Sequence, residues 1–470
     1  MGSSFKLSCR SCGQEAEQER QGYTCSKCGG VLEYSFDPEY LKEVKFDGPI
    51  TFWRYRPVLP PVKEAVSLGE GGTPLWVSER LGSDLELKNL KLKDETRNPT
   101  SSFKDRSASL IVSDAVGRGF DTLVSATSGN HGASLAAYSA TEGLTCHLIV
   151  PSNMDIGKLA QMIAYDAEVD TAGDNIEDAI SQTVDLVKRT GWYQATTELN
   201  PLSTEALKTI SYELVEQGDP PDWVVVAMGS GQTFHAIWKG FKELEERGKL
   251  TKMPRLIGVQ AEGCSPITDA FSHGDVKPSK LEAADTIAKA ILNSEPMYGS
   301  AALEALKESD GISVTVTDDE MLRYGKEIAR LEGIFAEPAS AATVACLPRL
   351  RDEGIIDPKD SIISLITSSG LKTNDIFQSL SSRRRSPGLG SKLATKEHLL
   401  KNISRSKTYG YELWKGMGKK MTLGAVYQHL SDLEEKGLIV SQTEGKRRYL
   451  LITEKGRRVL TAMDELTILL

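Results

Sequence analysis

Trp223-Val-Val-Val-Ala-Met-Gly-Ser-Gly-Gln-Thr-Phe-His-Ala-Ile-Trp238 passes from an uninterrupted apolar run through a glycine-rich turn into a stretch with helical spacing. An apolar run without polar alternation marks a strand covered on both faces, and such strands belong to parallel sheets packed between helices. Thr122-Leu-Val-Ser-Ala126, Thr145-Cys-His-Leu-Ile-Val150, Leu256-Ile-Gly-Val259 and Ser361-Ile-Ile-Ser-Leu-Ile366 repeat the pattern, with amphipathic helical stretches between them. The fold class read from this alternation is α/β, over residues 36–380.

The turn in the opening stretch also carries chemistry. Gly229, Ser230, Gly231, Gln232 and Thr233 lie between a strand end and a helix start, where free backbone amides and the helix dipole can receive a phosphate. The loop lacks the Gly-Lys-Ser/Thr of a Walker loop, and Phe234 stands where Gly-x-Gly-x-x-Gly needs its third glycine. A phosphate that is not a nucleotide's is the better match.

Three further segments carry candidate chemistry. In Asn98-Pro-Thr-Ser-Ser-Phe-Lys-Asp-Arg106, a turn with polar cap residues places Lys104 at the start of a helix. The dipole and partial burial there depress an amine pKa and suit it to act as nucleophile or base, although a lysine in a first helical turn is most often a solvated surface charge. Thr127-Ser-Gly-Asn-His-Gly132 follows a strand and offers amides to a carboxylate or phosphate, or is simply a tight turn. His131 within it is a tempting base, but Lys104 can do that work. Thr367 ends the Ser361 run, and a hydroxyl at a strand's C-terminal edge points into the crevice where α/β ligands bind.

Taken in order, Lys104 in Ser-Phe-Lys-Asp-Arg, the Ser128-Gly129-Asn130 loop, the glycine-rich loop and the Thr367 hydroxyl resemble the tryptophan synthase β-like family of pyridoxal 5'-phosphate (PLP) enzymes, fold type II. Within it, Ser67-Leu-Gly-Glu-Gly-Gly-Thr-Pro-Leu75, Asn98-Pro-Thr100, Asn200-Pro201 with Lys208-Thr209, Thr286-Ile-Ala-Lys-Ala-Ile291 and Glu337-Pro-Ala-Ser-Ala-Ala342 are similar to threonine synthases. The resemblance implies two open α/β sheets, with Lys104 holding PLP as a Schiff base and Asn130 partnering the ring's phenolic oxygen. It makes Gly229 to Thr233 the phosphate cup and Thr367 the neutral partner of the pyridine nitrogen.

The same resemblance implies an amino-acid phosphate as substrate. O-phospho-L-homoserine would lose phosphate from Cγ, water would add at Cβ, and L-threonine would leave, with Lys104 moving the protons. Ser128, Gly129 and His131 would lie against the substrate, Ser128 and neighbouring amides holding its carboxylate. Thr73 and Arg106 are further candidates beside it, Arg106 equally as a structural salt-bridge partner. Three places depart from the family pattern: His131 follows Gly129-Asn130 where Thr is usual, Ser368-Ser-Gly-Leu-Lys-Thr373 replaces Gly-His-Gly-Leu-Lys-Asp, and the phosphate loop lacks Asn. They leave the PLP assignment intact and bear on the substrate, so cysteate synthase chemistry (sulfite replacing the phosphate of O-phosphoserine) and threonine dehydratase chemistry stay open.

Residues 1–35 have a different texture. Cys9-x-x-Cys12 and Cys25-x-x-Cys28, each followed by glycine, supply four thiolates from two tight turns, the layout of a structural zinc ribbon. A redox Cys-x-x-Cys pair is the weaker alternative. Cys146, Cys264 and Cys346 are scattered and read as small buried apolar residues.

The 470 residues, 40% hydrophobic and 26% charged, have the composition of an ordered soluble protein. No apolar stretch approaches the roughly 18 residues of a membrane span, and no signal peptide opens the chain, so the expected location is cytoplasmic. The net charge of −9 conceals a basic end: residues 383–470 hold 18 Lys and Arg against 9 Asp and Glu. A Ser, Arg, Pro and Gly-rich linker at 381–390 precedes that end.

Over 391–470, helical text from Leu399 to Trp414 is followed by a helix capped by Thr422 and ending at Gly437. Leu438-Ile-Val440, the basic turn Glu444-Gly-Lys-Arg-Arg448, Tyr449-Leu-Leu-Ile452 and a last helix opened by Thr453 complete the module. It resembles PadR-type winged-helix domains. The resemblance implies a DNA partner, with the Thr422 helix in a major groove and Lys446, Arg447 and Arg448 on phosphates. The alternative is a module that joins two chains as a homodimer or merely packs on the body. Two function classes follow: a biosynthetic PLP lyase, and a DNA-binding regulator whose body senses an amino acid.

Overall fold

The structure is a computed structural model and describes residues 5–16, 23–152, 154–250, 252–373, 389–405, 407–416, 423–444 and 447–469. It divides into two compact units, Met1–Phe377 and Gln378–Leu470. Residues 381–388 of the expected linker, the Thr422 cap and Lys446 lie outside the described residues. No described helix is long and apolar enough to cross a membrane.

The first unit is built on two open sheets. The six-stranded sheet runs in the order Ile312–Val316, Arg255–Ala261, Trp223–Ala227, Ser361–Ile366, Asn89–Asp94, Leu75–Val77. All its pairings are parallel except the last, where the short Leu75–Val77 edge runs antiparallel to Asn89–Asp94. The four-stranded sheet, Glu168–Thr171, Thr145–Val150, Thr122–Ala126, Tyr193–Gln194, is parallel throughout. Each uninterrupted apolar run singled out above is a strand. Trp223–Ala227 is buried along its whole length, as a central parallel strand between two helical layers must be.

Within the Met1–Phe377 unit, the cysteine segment forms a two-stranded antiparallel ribbon, Phe5–Cys9 with Leu32–Phe36. Leu7, Leu32, Tyr34 and Phe36 join the main hydrophobic core, so the ribbon is packed onto the body. Polar contacts fix it too: Glu33 pairs with His235 at 2.5 Å, Lys239 donates to the Tyr34 carbonyl, and the Lys208 ammonium sits 4.3 Å from the Phe36 ring centroid. His235 and Lys239 belong to the Gln232–Glu246 helix, the one that begins at the glycine-rich loop.

The second unit contains the helices Leu389–Arg405, Gly410–Gly416, Leu423–Glu435 and Glu454–Leu469 with a two-stranded antiparallel wing, Ile439–Glu444 and Arg447–Ile452. It has its own core of Leu399, Leu400, Ile403, Leu413, Val426, Leu430, Leu433 and Ile439. Gly437 takes φ +68°, the left-handed conformation that stops a helix, and Thr453 Oγ1 accepts from the Gly456 amide at 3.0 Å to open the last one.

Candidate functional site

The parallel strands determine where the site lies, because their C-terminal ends meet the helix N-termini in one crevice. A cavity opens there, and Lys104, Ser128, Asn130, His131, Thr197, Glu198, Gly229 to Thr233, Glu337 and Thr367 are among its lining residues. These come from both sheets.

Lys104 is the first residue of the Lys104–Gly117 helix. The cap differs from the expected polar one: Phe103 occupies it without a side-chain bond, and Ser102 Oγ instead accepts from the Lys104 amide at 3.3 Å. The Phe103 amide donates to the Thr367 carbonyl at 2.9 Å, which ties the helix start to the end of the Ser361–Ile366 strand. Burial pushes the Lys104 ammonium below the usual lysine pKa, and the Glu198 carboxylate opposes that shift.

Asn130 opens the Asn130–Thr141 helix after Gly129, whose φ of +135° only glycine adopts readily. Thr127 Oγ1 accepts from the Gly129 and Gly132 amides, both at 3.0 Å, and shapes the turn. Asn130 Nδ2 donates to both Glu337 oxygens at 2.9 and 3.1 Å, while its buried Oδ1 has no partner. His131 Nε2 lies 2.8 Å from the Ala195 carbonyl, which fixes the proton on that nitrogen and leaves Nδ1 unpartnered. Burial, then the Lys104 charge, lower its pKa to about 3, so the imidazole is neutral.

The Gly229–Thr233 loop reaches the first turn of the Gln232–Glu246 helix, whose leading amides have no carbonyl a turn earlier to bind. Gly231 has φ +86°, and a Cβ there would lie 2.9 Å from the Tyr298 carbonyl oxygen, so the backbone needs glycine on both counts. The Gln232 side chain donates to the Thr197 carbonyl at 2.7 Å. At the other end Thr367 Oγ1 shares a 2.8 Å hydrogen bond with Ser340 Oγ.

Thr73 and Arg106 are not brought to the cavity. Arg106 is fully buried, with Nε and Nη2 each 2.8 Å from Glu95 and Nη1 2.6 Å from Glu213. Thr73 Oγ1 donates to Glu95 at 2.6 Å within the same network. Of the two readings open for Arg106, its surroundings are those of the salt-bridge partner. Sequence reasoning missed Glu198 and assigned no role to Glu337, although Glu-Pro at a helix start is a visible signal for a carboxylate at an N-cap.

Away from this cavity, the Sγ atoms of Cys9, Cys12, Cys25 and Cys28 all lie within 4.8 Å of one another, a set that can hold a metal ion. The two turns match: Gly13 donates to the Cys9 carbonyl at 2.9 Å and Gly29 to the Cys25 carbonyl at 2.8 Å. Cys146, Cys264 and Cys346 are buried and free, as expected.

A family model for pyridoxal-phosphate dependent enzymes matches residues 66–368. The chain belongs to that family. It is 40% identical to a threonine synthase of Methanocaldococcus jannaschii over 78% of this chain and 93% of the relative, and 37% identical to one of Methanosarcina acetivorans over 78% and 92%. Among solved structures, a threonine deaminase of Solanum lycopersicum (18% identity, TM-score 0.58, covering 73% of this chain and 97% of that one) shares the fold. An L-serine ammonia-lyase of Rhizomucor miehei (19%, 0.58, 68% and 99%) shares it too. Residues 399–462 match a PadR-like transcriptional regulator model.

The cavity suits the cofactor of that family. Free amides at a helix start offer a seat for a phosphate, the unpartnered Asn130 Oδ1 and His131 Nδ1 mark polar atoms short of a partner, and the Lys104 amine lines the same space.

Proposed function

We propose that the chain is a threonine synthase, converting O-phospho-L-homoserine and water to L-threonine and phosphate with PLP as cofactor. The observation that carries this reading is one cavity collecting Lys104, Asn130, Gly229 to Thr233 and Thr367, in a chain 40% identical to a threonine synthase. In this reading the Gly229–Thr233 amides would hold the cofactor's phosphate, Asn130 would meet its phenolic oxygen, Thr367 its ring nitrogen, and Lys104 would hold it covalently. When bound, PLP supplies the electron sink that lets a proton leave Cα.

The remaining work belongs to side chains. Lys104, its pKa lowered by burial, takes protons from Cα and Cβ and returns them. The Ser128 hydroxyl and the amides that open the Asn130–Thr141 helix bind the substrate carboxylate. His131, neutral and bonded to Ala195, positions that loop and moves no proton. The test is spectroscopic: the purified protein should show an absorption band at about 410 to 420 nm that shifts when O-phospho-L-homoserine is added. A protein with no such band refutes the cofactor assignment.

For the Gln378–Leu470 unit we propose DNA binding through the Leu423–Glu435 helix and the wing, supported by the PadR-like match and the excess of basic residues. A gel shift lost on deleting residues 384–470 is the expected result, and no binding at low salt refutes it. We also propose that the four cysteines hold a structural zinc ion, since a closed four-thiolate set leaves no position for a substrate.

A further inference from the structure

We propose that Glu198 is the acid that protonates the departing phosphate and then the base that takes a proton from the incoming water. This inference rests on the threonine synthase reading above.

It starts from the charges around the cavity. Among the described lining residues Lys104 is the one cation, since His131 is neutral, and Glu198 and Glu337 are the two acids. Glu337 is 1% exposed and committed: both its oxygens accept from Asn130, and Lys158 stands 3.6 Å away. Lys158 itself is paired with Asp155 at 2.9 Å and, like the buried Lys372, does not line the cavity. The adjoining cavity, which shares Ser128, Ile176 and Leu292, adds Asp174, Glu177, Glu282 and Asp285 against Lys289, which lies 3.3 Å from Asp285.

A phosphate dianion leaving into these surroundings meets no guanidinium, and the one ammonium is occupied at Cα and Cβ. A proton is the remaining means of neutralising it. Glu198 is placed to deliver one. It lies just beyond the Tyr193–Gln194 strand, is only partly buried, and accepts one hydrogen bond, from Thr197 Oγ1 at 2.7 Å. The groups facing it are the Lys104 ammonium, whose pKa its charge raises, the Tyr298 phenol, on which it acts likewise, and Thr197.

The step balances. The Cγ–O bond breaks with its electron pair on the phosphate oxygen, which takes the Glu198 proton. The resulting carboxylate removes a proton from the water whose oxygen bonds to Cβ, so Glu198 regains its acid form. The proton that Lys104 took from Cβ ends on Cγ. One water is consumed, one phosphate is released, and no electrons are exchanged with another reagent.

The experiment is Glu198→Gln in the PLP-loaded full chain. The variant should keep the cofactor band and exchange the substrate's Cα proton for deuterium within about 3-fold of wild type, because Lys104 does that work. Its release of phosphate and threonine should fall about 10²- to 10⁴-fold, and Glu198→Asp should recover part of the rate. Unchanged phosphate release overturns the proposal, and so does a parallel loss of exchange and release, which marks a structural role. A wild-type protein that releases no phosphate overturns the substrate reading itself.

Discussion

Replacing Arg106 by methionine removes the cationic centre of an ion cluster with no access to solvent. The guanidinium serves Glu95 through Nε and Nη2 and Glu213 through Nη1 and Nη2, the latter at 2.6 and 2.9 Å, while Lys93 adds a 2.7 Å bond to Glu213. All four side chains are 0% exposed, and their charges cancel. Arg106→Met leaves two buried carboxylates sharing one ammonium, and breaking a buried pair in this way costs about 3 to 5 kcal/mol. The protonation equilibrium points the same way. Burial alone would push Glu213 up, yet Arg106 and Lys93 hold it down to about 2 from 4.5. The stabilisation from that depressed carboxyl is present above pH 4.5 and lost as pH falls towards 2.

Urea unfolding of the full chain, followed by circular dichroism, should show Arg106→Met destabilised by about 3 to 5 kcal/mol at pH 7, the gap narrowing below pH 4.5. Adding Glu95→Gln restores neutrality while keeping the Lys93–Glu213 pair, and should recover at least about 1 kcal/mol. At a temperature where the variant is folded, its KM should stay within about 3-fold of wild type. Stability unchanged within about 1 kcal/mol, together with a KM raised about 100-fold, would mean that the guanidinium touches substrate and would refute the structural account.

Three further outcomes are expected. Lys104→Ala should lose the resting band at about 410 to 420 nm and lower turnover at least about 10³-fold, and a variant retaining wild-type turnover contradicts its assigned role. Because burial keeps the His131 imidazole neutral down to about pH 3, His131→Gln should leave the pH–rate profile between about 5 and 8 unchanged, and a lost limb near the ordinary histidine pKa contradicts this. Metal analysis should find one zinc per chain, and Cys25→Ser should lose it and lower the melting temperature, since the ribbon strands share the main core. A zinc-free wild type with the same melting temperature contradicts the zinc assignment.

The fold was legible in the sequence wherever a strand is buried on both faces, because Trp223–Ala227 and Ser361–Ile366 can be nothing else once helices flank them. The short edge strands Leu75–Val77 and Tyr193–Gln194 were not, since a few residues carry no period. Glycine loops marked the site because a backbone seat needs particular residues at particular spacings. Glu198 left no such mark: a lone carboxylate beside Leu-Asn-Pro reads as surface, and only the strand that carries the chain to the crevice turns it inward. For Arg106 the sequence left substrate contact and a structural salt bridge both open. Two residues after Lys104 in a helix, it points to another face, where Glu95 and Glu213 wait from segments distant in sequence.

The central claim is the reaction. Wild-type protein with PLP and O-phospho-L-homoserine should release phosphate and L-threonine in equal amounts, with one oxygen from labelled water in the threonine hydroxyl. No phosphate and no threonine from that substrate, with cysteate formed from O-phosphoserine and sulfite, would contradict it.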